Sequence, residues 1–313
     1  EPISNSLLCV TALQAPDERS SVRKDFKTTI KTIALLHPGN MGSTIGAAAA
    51  ASGARVVWAS ERRSKASRER AKRAGLIDVE TLTHALGESD VVLSVCPPHV
   101  ALEVAESVAR HKFKGIYIDA NAISRATAVQ VGKIVSKAGA SFVDGGIIGA
   151  PVKKAGTTRL YLSGTRAPEV AELFSASMLD ARAIGPEPGA ASALKVAYAA
   201  WTKCTDALLL AIRALAAHEG IDQALLEEWS ISQPDLERRC QRAAAVAVPK
   251  MWRYVGEMEE IAETFRAAGL PGGFHLAAAE ICQRLAPFKD QTEPAPTVPS
   301  VVAAIRGGLE KLC

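Results

Sequence analysis

Three stretches of the 313-residue chain carry residues in patterns suited to ligand binding or catalysis. The first is LHPGNMG, Leu36–Gly42, which follows the apolar run Ile30–Leu36 and precedes an alanine-rich helix. Such a loop holds a pyrophosphate when backbone N–H groups and a helix N-terminus face the phosphates and the closest residues lack side chains. Gly39 and Gly42 occupy the second and third glycine positions of G-x-G-x-x-G, and His37 stands at the first. Pro38 fixes φ, so His37-Pro38 can make the turn that glycine usually makes. Pro38, Gly39, Asn40, Met41 and Gly42 are therefore the expected cofactor contacts of this loop. Taken alone, so degenerate a motif fits a plain strand-to-helix turn. Its place between a first strand and a first helix favours the cofactor loop.

The second stretch is SALKVAYAA, in which Lys195 sits on a helix of alanine, leucine, valine and serine. Its neighbours one turn away are Ala191, Ser192, Tyr198 and Ala199. A lysine there either snorkels out of an apolar helix or is desolvated, its pKa drawn down towards working pH. A third signal stands at the end of the second strand, WASERRS, Trp58–Ser64. An acidic residue there would bind a ribose 2′-hydroxyl, but Ala59 holds the position and Ser60, Arg62 and Arg63 follow. A hydroxyl with guanidinium groups suits a 2′-phosphate, because arginine makes forked, charge-assisted hydrogen bonds. NADP is thus the expected cofactor, with NAD as the other candidate.

The elements that must position these residues alternate. Strands are expected at Ile30–Leu36, Ala54–Ala59, Asp90–Cys96 and Gly115–Asp119, with another beginning at Ser141–Asp144. Helices lie between them, at 41–52, 64–74, 79–86, 99–110 and 124–138. This pattern predicts a parallel sheet covered by helices on both faces. Strands at Thr157–Gly164 and Ala181–Gly185 flank a helix at Pro168–Ala176 and extend the sheet. Ala190–Glu219 then reads as one helix, roughly 45 Å long, and only helices follow. Its apolar surface is nearly all round and needs a cover, which a second copy of the chain would supply. The fold class is an α/β Rossmann-like doubly wound domain followed by an all-α domain, joined by a long interdomain helix. The expected limits are a tail over 1–28, a nucleotide-binding domain over 29–188 and a helical substrate and dimerisation domain over 189–313.

Composition narrows the classes. Hydrophobic residues make up 48% and charged residues 22%, the balance of a globular protein. A net charge of +4 without a Lys/Arg block, and 5% aromatics, argue against nucleic acid as partner. The cysteines at 9, 96, 204, 240, 282 and 313 form no C-x-x-C pair and no zinc spacing, so no metal is expected. Reduced thiols and a cytoplasmic location are the simplest expectation. SLLCVTAL, Ser6–Leu13, is a poor signal peptide after Glu1. The helix near residue 205 carries Lys203, Asp206 and Arg213 and does not read as a membrane span.

These motifs in this order resemble the β-hydroxyacid dehydrogenase superfamily, which includes 6-phosphogluconate and 3-hydroxyisobutyrate dehydrogenases and, more distantly, imine reductases. GNMG (Gly39–Gly42) resembles the family's cofactor loop. SVCPP (Ser94–Pro98) resembles the strand end that lies over the cofactor, with Cys96 and Pro97 as contacts. DANAIS (Asp119–Ser124) is similar to D-x-S-T, placing Asn121 beside cofactor and substrate. VDGGIIGAP (Val143–Pro151) resembles the substrate loop, which gives Gly145, Gly146 and Ile147 as substrate contacts. GPEPGAASALKVAYAAW (Gly185–Trp201) resembles the G-x-G-x-x-x-K helix, with Gly189 and Ala191 at the glycine positions. The resemblance implies that Lys195 is the general acid/base of a hydride transfer between NADP(H) and a hydroxyacid/keto acid or an amine/imine. The likeness is nearest to a branch that joins a phosphogluconate-dehydrogenase-like nucleotide domain to its own helical C-terminal domain.

Three departures stand out. The family places asparagine four residues after the lysine, and here Ala199 occupies that position, leaving Tyr198 as the alternative donor. The substrate loop lacks its serine, and Asn121 replaces the first hydroxyl of D-x-S-T. An apolar, bulky or amine-containing substrate fits these changes better than a standard small hydroxyacid. Trp252, Tyr254, Glu257 and His275 can also reach the cleft, although packing or a solvated face accounts for each more simply. A non-catalytic NADP sensor or scaffold is the alternative to an enzyme, and a methyltransferase is a weaker third.

Overall fold

The computed structural model describes residues 32–307. The tail expected over 1–28 lies outside the described residues. Among the described residues the eight strands are β1 (Thr32–Leu35), β2 (Arg55–Trp58), β3 (Ile77–Asp78), β4 (Val91–Ser94), β5 (Ile116–Asp119), β6 (Ser141–Gly149), β7 (Thr158–Ser163) and β8 (Asp180–Ala183). Among them run the helices α1 (Asn40–Ala51), α2 (Lys65–Arg73), α3 (Leu82–Gly87), α4 (Ala101–Arg110), α5 (Arg125–Ala138) and α6 (Ala167–Glu172). Next comes α7 (Ala190–His218), then α8 (Asp222–Ser232), α9 (Leu236–Arg242), α10 (Tyr254–Ala267), α11 (Gly273–Arg284) and α12 (Val298–Gly307).

The strands form one sheet in the order β3-β2-β1-β4-β5-β6-β7-β8. Side chains alternate across it. Ile33 and Leu35 of β1 join a core with Ile45 of α1, Ala71 of α2 and Val170 of α6. Ala34 and Leu36 face the opposite core, with Leu86 of α3, Val108 of α4 and Val131 of α5. Because both faces are covered, β1 and β4 read as unbroken apolar runs. The Rossmann-like doubly wound sheet followed by a helical region is the architecture expected.

Two details differ from the expectation. The sheet is not wholly parallel, since β7 runs antiparallel to β6. Residues 150–157 are too few for a crossover, which takes about a dozen or more, so the chain turns back on itself. The strand β3 is also new. It is two residues long and pairs with β2 through Val57 and Trp58, too short to carry a periodic signal.

At 1.5 Å per residue α7 is about 44 Å long. Its first half packs Val196, Ala199 and Ala200 against Met258 and Ile261 of α10 and Ala278 of α11. Its second half packs Leu209, Leu210 and Ala214 against Trp229 of α8, Cys240 of α9 and Val301 of α12. Among the described residues no helix is long and apolar enough to cross a membrane.

Candidate active site

The loop from β1 to α1 makes a tight glycine turn into the N-terminus of α1. Gly42 is required by its contacts, because a Cβ there would lie 2.2 Å from the His37 carbonyl oxygen and 3.3 Å from Val95 Cβ. Gly39 caps α1 with no side-chain hydrogen bond, and a Cβ on it would meet nothing within 4 Å. The N–H groups of the first helical turn therefore have no capping side chain. The turn is closed by the Gly39 N–H donating to His37 O at 2.8 Å. Pro38 is buried, Met41 is half-buried against the α1 core and Asn40 is exposed. Arg70 of α2, not foreseen from sequence, ties the loop down by donating to Pro38 O at 3.2 Å.

His37 replaces the first glycine of the motif. Its ring is mostly buried, its Nδ1 has no partner, and burial, reinforced by the nearby Arg63, holds its pKa down at about 4. Arg63 donates to Leu36 O at 3.3 Å, and burial lowers its own pKa. Arg62 is exposed, with a left-handed φ of 56°. His37, Ala59, Arg62, Arg63, Pro97 and Glu103 line one cleft of about 570 Å³. Ser60 is buried at the end of this strand and its carbonyl accepts from Arg68. A larger hollow of about 690 Å³ runs along the outer flank of α1, between Arg70, Arg73 and Lys153. It shares only Asn40 with the expected cofactor contacts.

Across the sheet, Asn121 knits the ends of β4 and β5 together. Its Oδ1 accepts from the Cys96 N–H at 2.6 Å, and its Nδ2 donates to Asp119 at 2.8 Å and to Ser94 at 3.3 Å. Both amide hydrogens are thus spent on the protein, and Asn121 shapes the cleft edge by holding the Cys96-Pro97 turn. Burial pushes the Cys96 thiol up to about 11 and the Asp119 carboxyl up to about 7. Asp119 sits beside Asp144 in register across β5 and β6.

Asp144 is the residue that sequence reading missed. Its carboxylate accepts from Ser192 N at 2.9 Å, Ser192 Oγ at 2.5 Å and Ser163 Oγ at 3.0 Å. Ser163 Oγ accepts in turn from Ala191 N at 3.1 Å. The helix α7 starts at Gly189, whose φ is 86° and which has no side chain to cap it. Side chains of β6 and β7 therefore cap its orphan N–H groups, fixing the helix on the sheet. The aspartate preceding the glycine pair in VDGG was the available signal.

That docking puts Lys195 over Gly146. A Cβ on Gly146 would lie 2.5 Å from Ala191 O and 3.2 Å from Lys195 Cβ, so only glycine lets α7 come this close. Gly145 meets Asp119 O and Ala120 in the same way, whereas Ile147 turns into the α1 core. Lys195 shares a narrow hollow of about 10 Å³ with Ala122, Val196, Ala199, Glu257, Glu260 and Ile261. Its pKa is pulled down to about 8 by burial and by Lys203, with Glu257 acting in the opposite sense. Tyr198 stands one turn on, 45% exposed. Of the helical-region residues named from sequence, Glu257 lines this hollow, whereas Tyr254 lies under Lys203 and lines another hollow with Asp206 and Arg242. Trp252 lies between the Arg253 and Lys289 cations, and His275 packs on Phe265 with ring centroids 4.4 Å apart.

A glycine turn at the carboxyl end of a doubly wound sheet, with a lysine-bearing helix docked beside it and a helical region following, is the arrangement of a nucleotide-dependent oxidoreductase fold. Residues 32–123 match the family described as NADP oxidoreductase, coenzyme F420-dependent, and residues 216–285 match a domain of unknown function (DUF1932). The nucleotide-binding half is of the NADP type. A conserved protein of unknown function, whose structure is described as similar to 3-hydroxyacid dehydrogenases, aligns at 25% identity and a TM-score of 0.66. That alignment covers 82% of this chain and 98% of the other. The 3-hydroxyisobutyrate dehydrogenase of Mycobacterium tuberculosis, solved with L-serine, shares the fold at a TM-score of 0.67 and 19% identity, over 88% and 99% of the two chains. An uncharacterised 28.5 kDa protein of Methanothermus fervidus is 30% identical over 53% of this chain, and the match spans 63% of that protein's length. The chain has the fold of the 3-hydroxyacid dehydrogenases.

Proposed function

We propose that the protein is an NADP-dependent oxidoreductase acting on a carbonyl or imine and its reduced partner, with Lys195 as general acid/base. The observation that carries this reading is Lys195 itself, desolvated and docked over Gly146 at the end of β6. The turn from β1 to α1 fits the cofactor as a phosphate cradle, because Gly42 has no room for a Cβ and the first turn of α1 has no side-chain cap. NADP(H) supplies the hydride donor or acceptor. Pro38–Gly42 would hold the pyrophosphate, Ser60, Arg62 and Arg63 the 2′-phosphate, and the Cys96-Pro97 turn would flank the cofactor. Lys195 takes a proton from the substrate hydroxyl or amine in oxidation and returns one in reduction. Gly145 and Gly146 border the substrate, whereas Tyr198 stands exposed on α7, outside the hollow that Lys195 lines. The substrate loop carries no hydroxyl, which supports an apolar or amine-containing substrate.

Fluorescence titration tests the cofactor assignment. NADPH is expected to bind more tightly than NADH by about tenfold to a hundredfold, the worth of one or two charge-assisted hydrogen bonds. Equal binding would remove Ser60, Arg62 and Arg63 from the site, and binding of neither would return the reading to a plain turn. Turnover with a panel of keto acids and imines then separates an enzyme from a sensor.

The protein works as a homodimer joined along α7, in the cytoplasm. Leu194, Tyr198, Trp201, Leu208 and Leu215 are exposed on α7, and Trp201 is 65% exposed. They recur at intervals of four, three, seven and seven residues, the period of a helix seam. So long an apolar stripe needs a partner. Light scattering is expected to give twice the chain mass, and Trp201→Glu with Leu208→Glu to give a monomer. A monomeric wild type at micromolar concentration would reject the dimer.

A further inference from the structure

The lysine helix lacks a polar partner where the resembled family has asparagine, because that position is the buried Ala199. The structure brings another polar group to the same place. Glu257 of α10 lines the hollow that Lys195, Val196 and Ala199 share. Its carboxylate is not free to wander, since Lys203, two turns beyond Lys195 on α7, forms an ion pair with it. Lys203 and Glu257 are only 17% and 23% exposed. Lys203 Nζ also lies 4.3 Å from the centre of the Tyr254 ring on α10, which fixes the cation from a second side.

Glu257 and Glu260 of α10 are the charged groups lining the hollow beside Lys195, Lys203 of α7 acts on it electrostatically, and on β6 the Asp144 carboxylate is taken up by Ser163 and Ser192. Ala122, after β5, brings no charge, and neither do Val196 or Ile261. Glu260 is turned towards the nucleotide domain, where it accepts from Ser124 N at 2.8 Å. Glu257 is therefore the carboxylate left for Lys195. It favours an ammonium there, and Lys203 opposes one.

We propose that Glu257 is the positioning residue of Lys195, supplying from α10 the polar partner that α7 lacks at Ala199, with Lys203 fixing the carboxylate in place. The proposal rests on the role given to Lys195 above, but the protonation midpoints that test it need no substrate.

Trace acetylation with acetic anhydride across a pH series, read lysine by lysine by peptide mass spectrometry, reports the protonation midpoint of Lys195. In Glu257→Gln the midpoint is expected to fall by about one unit, making Lys195 about tenfold more reactive near neutrality. In Lys203→Met it is expected to rise, because the opposing cation is gone. Glu257→Asp, which keeps the charge, is expected to move back towards the wild type. Circular dichroism and NADPH titration confirm the fold of each variant. Should the Glu257 variants not fold, Lys203→Met alone decides, and a midpoint that does not rise overturns the pairing. Unchanged midpoints, or shifts of the same sign in Glu257→Gln and Lys203→Met, also overturn it. If Lys195→Met retains full turnover while the midpoints move as expected, the pairing stands and the proposed acid/base role falls.

Discussion

Lys195→Met is expected to lower turnover by about 10²–10⁴-fold, the usual contribution of a positioned acid/base, with NADPH affinity unchanged. Methionine keeps the length and apolar stem, so α7 still packs Val196 and Ala199 against α10. Only the proton carrier is removed. Steady-state kinetics at saturating cofactor measure the effect, and undiminished turnover would take Lys195 out of the mechanism. The pH dependence follows from the same residue, whose pKa stands at about 8 because burial, then Lys203, penalises the ammonium. Oxidation needs the neutral amine, so its rate should rise with pH and level off above about 8. Reduction needs the ammonium, so its rate should be level below that pH and fall above it. Profiles of the same sign in both directions would contradict a single acid/base.

Gly42→Ala is expected to weaken NADPH binding by about a hundredfold and to lower stability by about 1–3 kcal/mol, the range for overpacking. The added Cβ would sit 2.2 Å from the His37 carbonyl, a backbone atom that cannot swing away. Either α1 or the His37-Pro38 turn must move, and both belong to the cradle. Gly39→Ala is the control. Its φ of −71° suits alanine, and nothing lies within 4 Å of the new Cβ. Its melting temperature should therefore match the wild type while NADPH binding weakens, because the methyl group faces the space a phosphate would need. If Gly39→Ala binds NADPH as well as the wild type, the loop is not the cradle. Calorimetry and fluorescence titration separate the two effects.

The local code carried much of this architecture. Apolar runs at β1, β4 and β5, each followed by a helix, announce a covered parallel sheet, and some of the helices carry their own start signal. Ser64 and Ser124, for example, cap α2 and α5 by accepting from Ser67 and Thr127 N–H. The glycines of GNMG were readable because a tight turn into a helix restricts residue type locally. The reversal at β7 was not readable as a pairing direction, because direction depends on which edge the returning chain meets.

Asn121 marks the boundary within the site. Its segment was recognisable, but its amide hydrogens are used on Asp119 and Ser94, side chains 2 and 27 residues away along the chain. Asp144 shows the same limit more sharply, since its three hydrogen bonds go to Ser163 and Ser192. The glycine pair after Asp144 signals a close approach at β6, but does not say that the aspartate caps a helix starting more than forty residues later.

Lys195 could be picked out from a run of small residues, but its chemistry depends on burial and on charges brought by α10. Glu257 looked like an ordinary residue on a solvated face until folding set it beside Ala199 and Lys203. Periodicity, turn residues and helix caps act between near neighbours, so the chain's own order specifies the elements and the loop between β1 and α1. Desolvation and electrostatic pairing act through space, so the protonation state of Lys195 and the partner that orients it are settled only when α7 docks on β6 and α10 closes over it.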